Sequence, residues 1–152
     1  MTTFVSRRLI KEIAELCENF QIGTYMPADP GNRTIFTGEL PESVKNLAGD
    51  DVPITEALWI VESPSPPPHT YIDTEYTVLD FWAISPKTDR AHALLELVFN
   101  NYNRRYHYET ANWHIAFSHA LGSIIDVDRD REGGKLLRLS VQFICRNLNN
   151  LS

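Results

Sequence analysis

The chain has 152 residues, of which 43% are hydrophobic, 22% are charged and 11% are aromatic. This composition excludes a globally disordered chain and supports one domain, which would bury roughly 70% of the surface that its unfolded form exposes. The formal net charge of −6 argues against sequence-independent nucleic-acid binding, because such binding requires a basic face.

The charges are unevenly distributed along the chain. Between Glu39 and Asp80 nine acidic residues accompany a single base, Lys45, whereas nine bases and seven acids lie between Lys87 and Arg146. One interpretation is that the sign of charge simply fluctuates along any chain. The other is a subunit whose acidic region contacts the basic region of a neighbouring copy, in a head-to-tail contact that closes into a ring.

The first predicted element is an amphipathic helix over Phe4–Asn19. Its apolar residues are three and four positions apart, and Gly23 is expected to end it. A turn cluster over Pro27–Arg33 and a short strand over Thr34–Thr37 follow. Glu42–Pro53 is interpreted as a loop or a marginal turn of helix.

The middle of the chain predicts two strands separated by a proline-rich loop. Ala57–Glu62 is a compact strand, and Thr70–Ile84 is rich in β-branched and aromatic residues. Ser63–His69, between them, is excluded from a central strand because proline lacks an N–H donor. A stiff loop in a polyproline-like conformation is expected there.

A second helix is predicted after the long strand. Ser85 is its expected N-cap, Pro86 occupies its first position, and the helix runs to about Tyr102. Its buried stripe is predicted to contain Ala91, Leu94, Leu95, Val98 and Tyr102.

A strand is then predicted over Asn112–Leu121, with His114 on one face and Trp113, Ile115 and Phe117 on the other. Gly122–Val127 is expected to continue this strand or to pair with it. The odd spacing of His114 and His119 predicts opposite faces of the strand, so we do not expect them to share a metal ion.

The clearest pattern is the alternation of apolar and polar residues over Leu136–Arg146. It predicts a strand with one buried and one solvated face. The turn-forming run Asp126–Gly134 precedes it, so the chain is expected to end in a long exposed hairpin. The complete pattern predicts an α+β fold, with a single mixed or largely antiparallel β-sheet and two α-helices packed on one face.

Asp126, Asp128 and Asp130 alternate like the opening of a calcium-binding loop. Arg131 stands where that loop needs glycine, and Leu137 stands where it needs a bidentate glutamate. We therefore interpret the segment as a solvated hairpin tip rather than as a calcium site.

Cys17 and Cys145 occupy core positions of a predicted helix and strand, and we expect both to be buried and reduced. No constellation of residues supplies a nucleophile, a base and an oxyanion site together. The residues predict a binding or structural protein without catalytic residues, bound metal or cofactor. A small metal- or ligand-dependent enzyme is the less favoured alternative.

The chain has no segment that resembles a signal peptide. Its apolar runs also fall short of the ~20 residues that a membrane helix requires. These features predict a soluble cytosolic protein.

Several strings occur in a recognisable order. The first helix leads into Ile22–Tyr25 (IGTY) and Asn32–Pro41 (NRTIFTGELP), and a hydrophobic strand at Leu58–Val61 runs into Pro64–Pro68. An acidic, glycine-bearing turn and an alternating strand complete the chain over Asp126–Arg146. Over most of its length the chain thus resembles the tail terminator and minor capsid proteins of long-tailed bacteriophages.

This resemblance implies a single tail-terminator-like domain over residues 1–152 that assembles as a homo-oligomeric, usually hexameric ring. The ring would cap the tail tube, end its polymerisation and join the tail to the connector of the head. Its partners would be the tail tube protein and a head-completion or connector protein. DNA would pass through the lumen without specific binding. A head-completion or neck protein of the same virion is the alternative.

Such a protein would assemble in the host cytoplasm and reside in the virion, at the junction of tail and neck. We expect contacts at the proline-rich loop, because a stiff segment loses little entropy on docking, and at the hairpin tip. The candidate contact residues are Pro64, Pro66, Pro67, Pro68, His69, Asp128, Arg129, Asp130, Arg131, Glu132 and Lys135.

Overall fold

A computed structural model of the chain describes residues 8–63, 75–127 and 135–148. The elements in chain order are α1 (Leu9–Asn19), a 3₁₀ turn (Pro30–Asn32), β1 (Ile35–Thr37), β2 (Ser43–Lys45), β3 (Asp51–Pro53), β4 (Ala57–Glu62), β5 (Glu75–Ser85), α2 (Thr88–Tyr102), β6 (Arg105–Glu109), β7 (Trp113–Ala120), β8 (Ile125–Asp126) and β9 (Lys135–Asn147).

The predicted α+β architecture is confirmed. Seven strands form one sheet in the order β1-β4-β5-β9-β7-β6, and β8 pairs with β9 as the C-terminal hairpin. The β1–β4 pair is parallel and the other pairs of this sheet are antiparallel. Both helices pack on one face of the sheet, where their apolar residues join the core.

The last strand, β9, lies in the middle of the sheet. It pairs with β5 from Lys135–Ser85 to Cys145–Glu75, and β7 pairs along its other side. Its helix-facing residues are at most 3% exposed, namely Leu137, Leu139, Val141, Phe143 and Cys145. The alternation and the C-terminal hairpin are confirmed, but the paired part of the hairpin is shorter than expected, because β8 contributes only two residues. The predicted hairpin tip, residues 128–134, lies outside the described residues.

The centre of the core is the ring of Tyr102, at the end of α2. It stacks on Phe81 at 5.9 Å and meets the edge of Phe143 at 5.5 Å between ring centroids. Its hydroxyl donates to the Ile13 carbonyl and contacts the sulfur of Cys17, both at 3.3 Å. One aromatic side chain therefore ties both helices to the two central strands.

Helix α1 ends at a left-handed residue, which is Gln21 rather than the expected Gly23. Gln21 has φ +61°, its N–H donates to Glu18, and the N–H of Ile22 donates to the Cys17 carbonyl at 3.0 Å. This is the Schellman pattern of hydrogen bonds. Gly23 instead allows the chain to pass close to Thr34, since a Cβ at this position would lie 2.7 Å from Thr34 Oγ1.

Helix α2 begins later than predicted. Its N-cap is Lys87, and Ser85 remains the last residue of β5. The Ser85 hydroxyl still accepts a hydrogen bond from the Lys87 N–H at 3.1 Å. Ser85 therefore hydrogen-bonds to the N-cap residue from within β5, because pairing with β9 holds its backbone in the strand.

Two regions contain strands that the sequence analysis did not assign. The segment interpreted as a loop or turn of helix, 42–53, forms the antiparallel hairpin β2–β3, with Gly49 at φ +86° in its turn. Strand β6 follows α2 almost directly and forms an edge of the main sheet. Strands of three to five residues carry too few alternating positions to be recognised from periodicity.

A bulge in β7 changes the predicted faces of its residues. The register with β9 shifts between Ile115 and Phe117, so Phe117 points away from the helices, like His114. His119 pairs with Gln142 and also lies on that face. The prediction that His114 and His119 occupy opposite faces is therefore wrong, because one inserted residue reverses the alternation.

Candidate interaction surface

The face of the sheet opposite the helices is the main candidate for function, and we call it the open face. Within the described residues, neither helix packs on it. Its side chains form rows that cross the strands, because paired residues of neighbouring strands lie side by side. Many of these side chains are aromatic.

The tryptophan row contains Trp59, Trp82 and Arg138. The two indole rings are 5.9 Å apart, and the Arg138 guanidinium lies 5.4 Å from the Trp82 ring centroid. The Trp59 indole N–H donates to the Gly38 carbonyl at 2.6 Å. These contacts hold large apolar rings in fixed positions at the surface, and cation–π attraction adds to the packing.

The tyrosine row crosses the same face near the other end of β9. Tyr106, Phe117, Ile144 and Tyr76 follow one another across β6, β7, β9 and β5. The Tyr106 and Phe117 rings are 4.5 Å apart, and the exposed fractions of Tyr106 and Tyr76 are 63% and 49%. Both ends of the row therefore present an aromatic side chain to solvent.

Polar pairs separate the two aromatic rows. The Ser140 hydroxyl donates to Asp80 at 2.5 Å, and His119 Nε2 lies 2.9 Å from Gln142 Oε1. His119 also stacks on Phe117 at 5.0 Å. These polar groups form hydrogen bonds with one another on the open face. Another protein could therefore cover the face and leave few of them without a hydrogen-bond partner.

A groove of about 410 Å³ opens at one end of the tryptophan row. It is lined by Trp59, Ile84 and Leu136 of the sheet and by Gly38–Leu40, which follow β1. Most of the lining is apolar, and Glu39 supplies a carboxylate. Such a groove suits an apolar or aromatic side chain from a partner better than a highly charged ligand.

The most strongly shifted ionisable groups lie in the core rather than on the open face. Burial raises the pKa of the Cys17 and Cys145 thiols to about 12, and it raises the pKa of the Tyr102 and Tyr108 hydroxyls. The two thiols are buried and free, as predicted. Thiols with so high a pKa remain protonated and are poor nucleophiles.

One carboxylate is buried with a structural partner. Glu12 is 2% exposed and accepts hydrogen bonds from the backbone N–H and the side-chain amide of Asn112, at 2.8 and 3.0 Å. It joins α1 to the turn between β6 and β7. In the described part of the chain, no three histidine, cysteine, aspartate or glutamate residues are grouped as a metal site would require.

The predicted contact residues cannot be assigned to the open face. Pro64, Pro66, Pro67, Pro68, His69, Asp128, Arg129, Asp130, Arg131 and Glu132 lie outside the described residues. Lys135 begins β9 opposite Ser85, and its side chain is not among those described.

The sequence analysis missed the open face itself. A signal for it exists in the sequence. In β4 and β5, some positions between the core residues hold Trp59, Tyr76 and Trp82, where a solvated face would be expected to carry polar residues.

A comparison of the chain with protein-family models finds no match, and a comparison with curated proteins finds none either. Of the two helices described, neither has the length and hydropathy that crossing a membrane would require.

Proposed function

We propose that this chain is a structural virion subunit that resembles a phage tail terminator and acts through contacts rather than catalysis. It would form a ring that caps the tail tube, ends tube polymerisation and joins the tail to the connector of the head. The observation that carries the proposal is the open face, a broad sheet surface with two aromatic rows. Large exposed apolar patches rimmed by polar groups are typical of protein–protein contact sites.

The charge of the chain is compatible with this role. DNA would pass through the lumen of the ring, and a net charge of −6 disfavours persistent binding of phosphates. The order of elements that resembles tail terminators is a second support. It comes from the sequence and is independent of the open face.

The test is to add the purified chain to polymerising tail tube protein of the same virus and to image the tubes by electron microscopy. We expect tubes of limited length with a ring at one end. Six copies of this 17.4 kDa chain would have a mass of about 104 kDa. Unlimited tube growth with no density at either end would contradict the proposal, whereas binding to the connector alone would identify a neck protein.

A pair of variants tests the open face in the same assay. Tyr76→Asp places a charge on the open face, and Leu97→Asp places the same charge on the helix side, where Leu97 is 41% exposed. We expect Tyr76→Asp to weaken tube capping roughly tenfold or more, since it would bury a charge in an apolar contact. Equal effects of the two variants would show that the open face is not the contact surface.

A further inference from the structure

The tip of the hairpin β2–β3 presents an apolar side chain to solvent. Leu47 is 75% exposed, more than any other large hydrophobic residue in the described part of the chain. Loops run over the protein surface, and their residues are usually polar. A single exposed leucine is common on protein surfaces and needs no explanation by itself. The backbone around Leu47, however, holds this side chain at one place.

Four hydrogen bonds order the turn that carries Leu47. The Asn46 N–H donates to the Asp50 carbonyl and the Gly49 N–H donates to the Asn46 carbonyl, each at 3.0 Å. The side-chain oxygen of Asn46 accepts from the Asp50 N–H at 2.9 Å. The Leu47 N–H donates to Asp29 Oδ1 at 3.2 Å, so a second loop holds the tip. Because the turn is already ordered, docking through Leu47 would cost little conformational entropy.

The groove of about 410 Å³ at the end of the tryptophan row, which we call the apolar groove, is complementary in shape and polarity. Trp59, Ile84 and Leu136 contribute to its mainly apolar lining. The Trp59 indole N–H already donates to the Gly38 carbonyl at 2.6 Å, so an apolar occupant leaves this donor with its partner. Leu47 does not fill the apolar groove of its own copy, because three quarters of its surface is exposed.

We infer that, within the ring proposed above, Leu47 of one copy enters the apolar groove of the next copy. The inference rests on the proposed function and identifies the surfaces through which copies meet. A second copy is the occupant that the chain itself supplies, because every copy carries both an ordered apolar projection and an apolar groove. Contact between them would remove the leucine side chain and the Trp59 ring from water together.

The contact is heterologous, because it joins two different surfaces. Each copy would offer Leu47 to one neighbour and the apolar groove to the other. A chain that carries an apolar projection and a complementary pocket elsewhere on its surface associates head to tail, and such contacts close into a ring when the rotation between copies permits.

The charges near the two surfaces are mostly acidic. Lys45, Asp50 and Asp51 flank Leu47 in the hairpin, Glu39 belongs to the groove lining, and all four charged residues are exposed. Across the contact, Lys45 would attract Glu39, whereas the two aspartates would repel it. The attraction between copies is therefore apolar. Salt, which screens exposed charges, should leave self-association unchanged or strengthen it.

The first test compares the self-association of the wild type with that of Leu47→Asp and Leu97→Asp. Leu97→Asp is the matched control, since Leu97 is an exposed leucine on α2. We expect Leu47→Asp to weaken self-association roughly tenfold or more, because burial of the leucine is lost and a charge would be buried in its place. Light scattering over a range of concentration and salt measures the mass, and circular dichroism checks that both variants are folded.

The second test identifies the surface that the hairpin tip contacts. Ala48→Cys places a thiol beside the exposed leucine, and Glu39→Cys places a thiol in the lining of the apolar groove. A mixture of the two variants under mild oxidation should form a disulfide between positions 48 and 39, which mass spectrometry of the linked peptides identifies. Cys17 and Cys145 are buried and should not react. Ala93→Cys, exposed on α2, replaces Ala48→Cys in the control mixture and should not link.

Three outcomes would overturn the inference. Equal self-association of Leu47→Asp and Leu97→Asp would place the copy–copy contact elsewhere and leave the proposed function intact. A particle that stops at the dimer would replace the head-to-tail contact with a reciprocal one. A wild type that stays monomeric, with no 48–39 link in the mixture, would also reject the inference, and the tube-capping assay would then judge the proposed function separately.

Discussion

Gln21 holds a backbone conformation that glycine adopts more readily. It has φ +61° at the end of α1, where its exposed side chain makes no hydrogen bond among those described. A non-glycine residue in the left-handed region costs roughly 1 kcal/mol. Glycine avoids this cost but loses more entropy on folding.

We therefore predict that Gln21→Gly raises the free energy of unfolding by about 0.5–1 kcal/mol. Urea unfolding monitored by circular dichroism measures it. Gln21→Ala is the control, because alanine keeps the steric cost and should give no comparable gain. A loss of stability in the glycine variant would contradict the assignment of Gln21 as the residue that ends the helix.

Glu56 links the start of α2 to the segment before β4. Arg90 donates to it at 2.6 Å, and the Ser85 hydroxyl donates at 3.2 Å. The hydrogen bond from Arg90 is the main cause that lowers the pKa of Glu56 below its usual value of 4.5. A lowered pKa in the folded state stabilises the protein above about pH 4.5, and this contribution is lost as the pH falls through the folded pKa.

Glu56→Gln should accordingly be less stable than the wild type at pH 7 and lose less stability on acidification. The difference should vanish at a pH below the folded pKa. It is expected to be small, because both side chains are partly exposed. Thermal unfolding at a series of pH values measures it. Arg90→Gln should flatten the profile in the same way, and parallel profiles for wild type and both variants would refute this role of the pair.

At the scale of the elements, α1 depends on the β6–β7 turn as well as on apolar packing. Glu12 accepts both hydrogen bonds from Asn112 while it is almost completely buried. Leu148, after β9, donates its N–H to the Asn112 carbonyl at 2.8 Å. One turn residue therefore connects the first helix with the last strand of the described chain.

Removal of the Glu12 carboxylate should destabilise the folded protein. We predict that Glu12→Ala lowers the free energy of unfolding by about 2–4 kcal/mol, because it leaves buried donors without their carboxylate partner. Glu12→Gln should cost less, since its amide oxygen still accepts a hydrogen bond. Urea unfolding provides the measurement, and Lys11→Ala, exposed on the same helix, is the control. A Glu12→Ala variant as stable as that control would exclude the link as a source of stability.

At the scale of the whole molecule, one core connects both helices with the main sheet. Trp113 lies in that core at 6% exposure, and Trp59 and Trp82 lie on the open face. We predict a single unfolding transition, in which tryptophan fluorescence and far-ultraviolet circular dichroism change together. Two separated transitions would indicate that the chain folds in more than one unit.

Assembly should also alter this transition. If copies associate in the folded state, the Tm rises with protein concentration. A wild-type Tm that is independent of concentration would argue against self-association in solution.

The sequence by itself determined the α+β class, the stripe of α2 and the alternation of β9, because long elements repeat their pattern often enough to be recognised. It did not determine the hairpin β2–β3, the edge strand β6 or the faces of β7. Short strands carry too little pattern, and the register shift between Ile115 and Phe117 depends on pairing with a distant segment.

The open face was decided only by the tertiary structure. Tyr106, Phe117, Ile144 and Tyr76 come from four separate strands, and no local pattern indicates that they form one row. Local patterns are set by neighbours in the chain, whereas faces, rows and edges are set by long-range pairing, and that is the physical reason for the difference.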